Sequence, residues 1–245
     1  MSKIDARDRL IVALDLPDVE SAKSVVRKLE GVVRFFKVGL SLQLAPGVED
    51  MIQSLIAGGK KVFLDYKYYD VPETVKKAVS QAARLGVSFL TVHGSGGVIR
   101  AAVSGRGNKD LKLFTVTVLT SMDADDVAEM GYPGASVEEL VLVRARKALD
   151  AGCDGVIASG WEAKKIKDLS GNSLLVVTPA IRPEGYPEDD QKRRTTATEA
   201  IAAGADYLVI GRPITEQGDP AKAAQTFLAE MQKAFDNVPQ IISSV

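Results

Sequence analysis

Short apolar runs recur along the whole chain and alternate with longer segments whose apolar positions fall three and four residues apart. The first pattern is that of buried strands and the second that of amphipathic helices. Runs at 10–14, 33–38, 61–65, 87–92, 113–118, 155–158, 174–178 and 207–210 predict eight strands. Start and stop signals mark the segments between them. Asp18 stands at a cap position before Val19, Ala22, Val25, Val26 and Leu29. Pro72 suits a first helical turn, Val75, Val79, Ala82 and Leu85 follow on one face, and Gly86 stops the helix. Ser136 with Glu139, and Thr196 with Glu199, have capping-box spacing. Asp219-Pro220 opens a last long helix with an apolar stripe of Ala224, Phe227, Leu228 and Met231.

Eight strand–helix units in 245 residues predict an α/β fold, a closed (β/α)8 TIM barrel, in a single domain over 1–245. An open doubly wound sheet is the alternative. Its first turn is normally glycine-rich, whereas Leu14-Asp15-Leu16-Pro17-Asp18 has no glycine. Two stretches read as long loops on the strand-exit side, 120–134 and 180–195. The second is dense in charge and proline and has the length of an active-site lid. The tail after Phe235 reads as loosely packed, with Ile241 and Ile242 as its candidates for docking.

Composition narrows the function classes. Apolar residues make up 46 % of the chain, ample for a large core. Lys plus Arg number 31 against 32 Asp plus Glu, so no broad basic surface is expected and nucleic acid is not an expected partner. The lone Cys153 excludes a disulfide scaffold and reads as a buried thiol beside a strand. There is no apolar run of 18 residues, so no membrane span is expected. The polar opening MSKIDARDR does not read as a signal peptide, and a cytoplasmic protein is the expectation.

In a barrel the chemistry sits at the C-terminal ends of the strands. Those positions here are Asp15, Lys37, Asp65 with Lys67, His93, Thr120 with Ser121, and Arg212. The densest segment is Asp65-Tyr66-Lys67-Tyr68-Tyr69-Asp70. Side chains two apart on a strand share a face, so Asp65 and Lys67 point together and Tyr66 turns away. Alone, the pair reads as a structural salt bridge. With Asp15 and Lys37 it reads as an alternating network drawn from three successive strands, in which each charge keeps its neighbours ionised. Asp70 precedes Val71-Pro72 and reads locally as a helix cap, with Thr74 in the first turn. His93 is the only histidine and reads as a hydrogen-bonded strand-end residue. One imidazole and a distant Cys153 make zinc an unexpected ligand. At the eighth strand end, Gly211 lets a ligand approach the backbone and the Arg212 guanidinium matches phosphate. Arg182, Gln191, Arg193 and Arg194 add donors in the preceding loop.

These residues resemble the orotidine 5'-phosphate decarboxylase family from Leu10 to about Arg212. The strongest element is Asp65-x-Lys67-x-x-Asp70-Val71-Pro72-x-Thr74. Ile11-Val12-Ala13-Leu14-Asp15, Phe36-Lys37-Val38-Gly39, Thr117-Val118-Leu119-Thr120-Ser121, Thr178-Pro179-Ala180-Ile181-Arg182-Pro183, Asp190-Gln191-Lys192-Arg193 and Val209-Ile210-Gly211-Arg212-Pro213 support it. The resemblance implies a homodimeric barrel that converts orotidine 5'-monophosphate to UMP and CO2 without metal or organic cofactor, at a site shared between subunits. It implies that Asp15 and Lys37 bind the ribose hydroxyls, that Asp65 lies beside the substrate carboxylate and that Lys67 protonates C6. Asp70 and Thr74 reach in from the partner. Ser121 meets the pyrimidine edge, Gln191 bridges base and phosphate, Arg212 holds the phosphate and Arg182 lies near it. Thr120, Pro179 and Gly211 belong to the same substrate-binding set.

The chain departs from the family pattern at Tyr68-Tyr69, where the second position is often histidine. Glu73 replaces a common asparagine, Gly94 a common alanine and Ala180 a common glycine. The last of these puts the backbone course at the entrance of 180–195 in question. Two rival readings are distinct in kind. Related sugar-phosphate enzymes share the Asp-x-Lys-x-x-Asp pattern but use Mg²⁺, with a glutamate where this chain has Lys37. A phosphate-binding barrel without chemistry is the other, and Lys67 argues against it.

Overall fold

The computed structural model describes residues 4–238. Eight strands, β1 (Leu10–Ala13), β2 (Phe35–Gly39), β3 (Lys61–Tyr68), β4 (Phe89–Val92), β5 (Lys112–Val116), β6 (Gly155–Ile157), β7 (Leu175–Thr178) and β8 (Tyr207–Ile210), pair in sequence order. All pairs are parallel, and β8 closes on β1. The fold is a (β/α)8 barrel with helices outside.

Strand alternation builds two cores. Leu10, Val12, Phe36, Val62, Leu64, Leu90 and Leu208 face outward into the layer shared with the helices. Ile11, Ala13, Phe35, Phe63, Phe89, Phe114, Val177 and Val209 face inward and fill the barrel. The inward rings meet edge-on or tilted. Phe89 lies 4.8 Å from Phe35, 4.5 Å from Phe114 and 5.0 Å from Tyr207 between centroids. Continuing the inward series two residues at a time leads from Ala13 to Asp15, from Phe35 to Lys37, from Phe63 to Asp65 and from Phe89 to Thr91. The alternation that plugs the barrel with phenylalanine therefore also sets the charges at its C-terminal mouth.

The helix signals act locally as their chemistry requires. Asp18 accepts a hydrogen bond from Ser21 N at 2.7 Å. Both anticipated capping boxes form, at Ser136–Glu139 and Thr196–Glu199. Pro72 opens the helix Pro72–Leu85, and Gly86 ends it in the left-handed region at φ 83°. Asp219 caps Pro220–Asn237. That helix extends the ordered chain past Phe235, while Ile241 and Ile242 lie outside the described residues.

Several boundaries differ from the hydrophobic pattern. Val33 closes the preceding helix end, its N–H donating to Leu29 O at 3.0 Å, so β2 starts at Phe35. The stretch 120–134 is not all loop. It holds the helix Ala124–Glu129, capped by Asp123 and Asp126 in a reciprocal box. Strand β3 continues past Asp65 to Tyr68 through a register shift against β4, with Leu64 opposite Leu90 but Tyr68 opposite Val92. Lys67 sits inside this irregularity at φ 49°.

Strands β6 and β7 approach closely at Gly155. A β-carbon there would stand 2.2 Å from Leu175 O and 2.7 Å from the Phe114 ring. Gly155→Ala must push the strands apart, and overpacking of this kind should lower the melting temperature by about 3–10 °C. Thermal unfolding followed by circular dichroism checks this; an unchanged midpoint would show that the strands relax freely.

Candidate active site

The inward side chains at the C-terminal strand ends line a cavity of about 500 Å³. Its floor is the top of the phenylalanine plug, with Phe63, Val116, Ile157 and Val209 exposed to it. Four charges from β1, β2 and β3 stand on one side. The Lys37 ammonium donates to Asp15 Oδ1 at 2.8 Å and Oδ2 at 3.0 Å, and lies 3.4 Å from Asp65 Oδ2. Lys67 donates to Asp65 Oδ1 at 2.9 Å. The sign alternates along the row Asp15, Lys37, Asp65, Lys67, and Asp65 is shared by two ammonium groups.

Burial decides what this row costs. The Lys37 side chain is only 9 % exposed and that of Asp65 16 %, while Asp15 is half open to solvent. Burial alone would push the Asp65 carboxyl upward, yet the ammonium groups of Lys37 and Lys67 outweigh it and hold it below the ordinary aspartate value. Burial likewise works against the charged form of Lys37, and Asp65 and Asp15 overcome it, so the ammonium is held above its ordinary value. Neither ion would be stable there without the other.

The irregularity in β3 gives the row its geometry. Extra residues in one strand bend it and re-aim its side chains. Lys67 occupies the left-handed region, which a non-glycine residue adopts at a cost and which surrounding contacts must enforce. One such contact is visible: the Lys67 N–H donates to Thr91 Oγ1 at 2.9 Å, and that hydroxyl donates to Asp65 Oδ1 at 2.9 Å. Tyr66 turns away into the outer layer, as alternation requires. Thr91 is fully buried and was missing from the candidates drawn from sequence. Its only signal is a hydroxyl at an inward position of an otherwise apolar strand. Gly39 was also missing as a positioning residue. A β-carbon there would stand 2.6 Å from Asp15 Oδ1 and 2.9 Å from Lys37 Nζ, so glycine leaves the room in which the pair meets.

The cavity wall beyond β7 and β8 carries the arginines. Arg182, Gln191, Gly211 and Arg212 line it, together with Pro179 and Thr120. Arg212 pairs with Asp190 and lies 3.3 Å from Asp189, and Arg182 pairs with Asp189 at 2.8 Å. Gln191 Nε2 donates to Asp190 Oδ2 at 2.8 Å, and Thr120 donates to Gln191 Oε1 at 2.5 Å. The donors anticipated for an anion thus already face two consecutive carboxylates, whose combined charge equals that of a phosphate dianion.

Not every candidate reaches the cavity. Asp70 and Thr74 are exposed and do not line it. Asp70 Oδ1 accepts from Val71 N at 2.6 Å, but Val71, not Asp70, occupies the cap position of the following helix. The cap reading of Asp70 is therefore corrected by one residue. Ser121 is half-buried and stands next to Thr120 without lining the cavity. His93 is half-buried, its ring edge-on to Tyr69 at 5.6 Å, and burial pushes its imidazole below the ordinary value. Ala180 takes φ 59°, a conformation that favours glycine. Among the described residues no group of three or more His, Cys, Asp or Glu is arranged to hold a metal ion. No helix among them is long and apolar enough to cross a membrane.

Comparison with known proteins agrees with this arrangement. Residues 8–227 match the model of the orotidine 5'-phosphate decarboxylase / HUMPS family. The chain is 55 % identical to an orotidine 5'-phosphate decarboxylase of Nitrobacter winogradskyi over 94 % of this chain and 95 % of that protein. It is 48 % identical to one from Methylococcus capsulatus, over 95 % of each. A crystal structure of orotidine 5'-phosphate decarboxylase from Lactobacillus acidophilus superposes with a TM-score of 0.80 at 36 % identity, covering 91 % of this chain and 98 % of that one. With its barrel, its DxKxxD strand and near full-length similarity to these proteins, the chain belongs to the orotidine 5'-phosphate decarboxylase family.

Proposed function

We propose that the Asp15–Lys37–Asp65–Lys67 row is the apparatus with which this chain decarboxylates orotidine 5'-monophosphate to UMP and CO2, a step of pyrimidine biosynthesis. The observation that carries the assignment is the Lys67 ammonium, held 2.9 Å from an Asp65 carboxylate that Lys37 also holds. Breaking the bond between C6 and the carboxylate leaves the electron pair in an sp² orbital at C6, with no conjugated sink. Catalysis must then stabilise this developing carbanion more than the ground state. An ammonium beside C6 does so electrostatically and afterwards delivers the proton that completes the C6–H bond. Lysine suits both tasks, being a compact charge that can also release a proton; arginine holds its proton too tightly.

The remaining roles follow the cavity's polarity. Asp15 and Lys37 take the ribose hydroxyls, and Asp65 stands beside the departing carboxylate. Thr120, Ser121 and Gln191 meet the pyrimidine, with Pro179 and Gly211 as walls. Arg212 takes the phosphate with Arg182 near it, and the dianion exchanges for the carboxylates of Asp189 and Asp190. The stretch 180–195 acts as the lid over this end. Binding energy at the phosphate helps to order the lid and thereby contributes to the chemical step. The mechanism needs no metal or organic cofactor. The functional unit is a homodimer in which Asp70 and Thr74 enter the partner's cavity. Supporting this, both are exposed, and Asp70 lies between the exposed side chains of Tyr69 and Val71. The cytoplasm is the compartment assigned, consistent with a lone, buried, free Cys153.

UMP formation from orotidine 5'-monophosphate should persist after exhaustive chelation, and Lys67→Ala should reduce it at least about 10⁴-fold without loss of fold. Activity restored only by Mg²⁺ would favour the sugar-phosphate type of chemistry instead. Tight nucleotide binding by the wild type with no turnover would favour a binding protein. Mixing inactive Lys67→Ala and Asp70→Ala proteins should return about a quarter of the sites through random subunit exchange. No recovery despite demonstrated exchange would rule out the shared site.

The pH profile offers a further check. The neighbouring ammonium groups hold the Asp65 carboxyl below its ordinary range and the neighbouring carboxylates hold the Lys37 ammonium above its own, so both stay charged through the neutral range. The acid limb of kcat/KM should therefore be that of the substrate phosphate, at about pH 6. The phosphate-free nucleoside should lack that limb. The same limb with both substrates would place the ionisation on the protein.

A further inference from the structure

Outside the cavity lies one deeply buried ion pair that the reaction does not use. Arg193 and Glu162 have side chains only 5 % and 4 % exposed and meet at 2.6 Å. Neither lines the cavity. The guanidinium continues to two backbone carbonyls, Val118 O at 2.8 Å and Leu119 O at 3.0 Å. These carbonyls immediately precede Thr120 and Ser121. The backbone of Arg193 is joined to the same strand end, since the N–H groups of Lys192 and Arg193 both donate to Thr120 O, at 3.1 and 3.0 Å. Glu162 belongs to the helix Gly160–Ser170, and Ser159, capping that helix, donates to Arg193 O at 3.3 Å.

As a source of stability this pair is a poor choice. Among the described residues, Glu162 Oε2 and Arg193 Nε have no hydrogen-bond partner. Burial pushes the Glu162 carboxyl upward even against the adjacent guanidinium. An incompletely satisfied buried pair is commonly no more stable than an apolar pair of equal volume. What it supplies is direction, because a planar guanidinium fork can hold a carboxylate and two carbonyls at fixed angles at once.

We propose that Arg193, set by Glu162, is a positioning residue that locks the base-binding end of β5 to the stem of 180–195, so that Thr120, Ser121 and Gln191 reach the substrate as one unit. The other stem residues agree with this. Gln191 is tied to Thr120, and Lys192 pairs with Asp123 at 2.6 Å and Asp126 at 2.9 Å on the helix that follows β5. At the other root, Arg182 N donates to Thr195 O at 2.9 Å. The crest between these anchors holds Asp189 and Asp190. Capture of phosphate at the crest is thereby coupled to placement of the groups that meet the base. The inference rests on the substrate assignment made above.

The test uses the full-length protein and a double variant, Glu162→Leu with Arg193→Met, that removes both charges and keeps the volume. It should melt near the wild-type temperature, lose about 100-fold in kcat/KM and lose most of it in kcat, the size expected when reacting groups shift by about 1 Å. Hydrogen exchange at the amides of residues 192 and 193 should quicken at least tenfold. Arg193→Lys keeps the charge but not the fork, and should lose about tenfold in kcat with its melting temperature kept. A folded double variant with wild-type kcat, KM and amide exchange would overturn the proposal. If the double variant does not fold, Arg193→Lys decides alone, and wild-type kinetics in it would overturn the proposal equally. If the wild type itself fails to decarboxylate the substrate, the substrate assignment fails, while quickened exchange in the double variant still supports the coupling and unchanged exchange refutes it.

Discussion

The Asp65 carboxylate is the contact on which the site depends. It is largely buried and tolerable only because two ammonium groups and a hydroxyl surround it. Lys37 in turn is buried and needs both of its aspartates. Each member of the row is thus the condition for its neighbour, and the row as a whole requires three adjacent strands in one fixed register. Closure of the barrel supplies the register. Phe35 and Phe63 point inward, so Lys37 and Asp65, two residues further on, must as well. The hydrophobic plug beneath the cavity and the electrostatics above it are consequences of a single alternation.

Three non-glycine residues among those described have a positive φ, and two of them, Lys67 at φ 49° and Ala180 at φ 59°, line the cavity, one in the row of charges and one at the root of the stretch over the arginines. The third, Asn172 at φ 65°, follows the helix Gly160–Ser170. Backbone in a sparsely populated region persists only where the surroundings over-determine it. Thr91 does so for Lys67 by accepting its N–H while donating to Asp65, and the Thr195 backbone does so at the segment entered by Ala180.

Much of this was legible in the residues. Strand number and order came from apolar runs, and the helix starts from Asp18, Ser136, Thr196 and Asp219, because caps and alternation are short-range effects. The charges at the mouth could be placed for the same reason: Asp15, Lys37, Asp65 and Lys67 each lie an even number of residues beyond an inward apolar side chain, Ala13, Phe35 or Phe63. Other features depend on distant register and left no local mark. The register shift of β3, the use of Thr91, the clearance at Gly39 and the Glu162–Arg193 pair all require knowing which strands and helices lie side by side. Asp70 shows the boundary between the two kinds. Its neighbourhood suggested a cap, and its carboxylate does bond to the next backbone N–H, but the cap position belongs to Val71.

Gly94 and Tyr69, both set apart in the sequence from the pattern the chain resembles, lie side by side. Gly94 takes φ 124°, and a β-carbon there would stand 2.9 Å from the Tyr69 ring. The ring rests where a methyl group would otherwise be. An alanine introduced at 94 first meets both a strained backbone and an occupied space, whereas loss of the ring at 69 first merely leaves an open surface. Between the two forms of this corner the order of mutation therefore matters: the permissive path changes residue 69 before residue 94, and the reverse path passes through a clash. Two positions 25 apart in the chain thus constrain each other through one small volume.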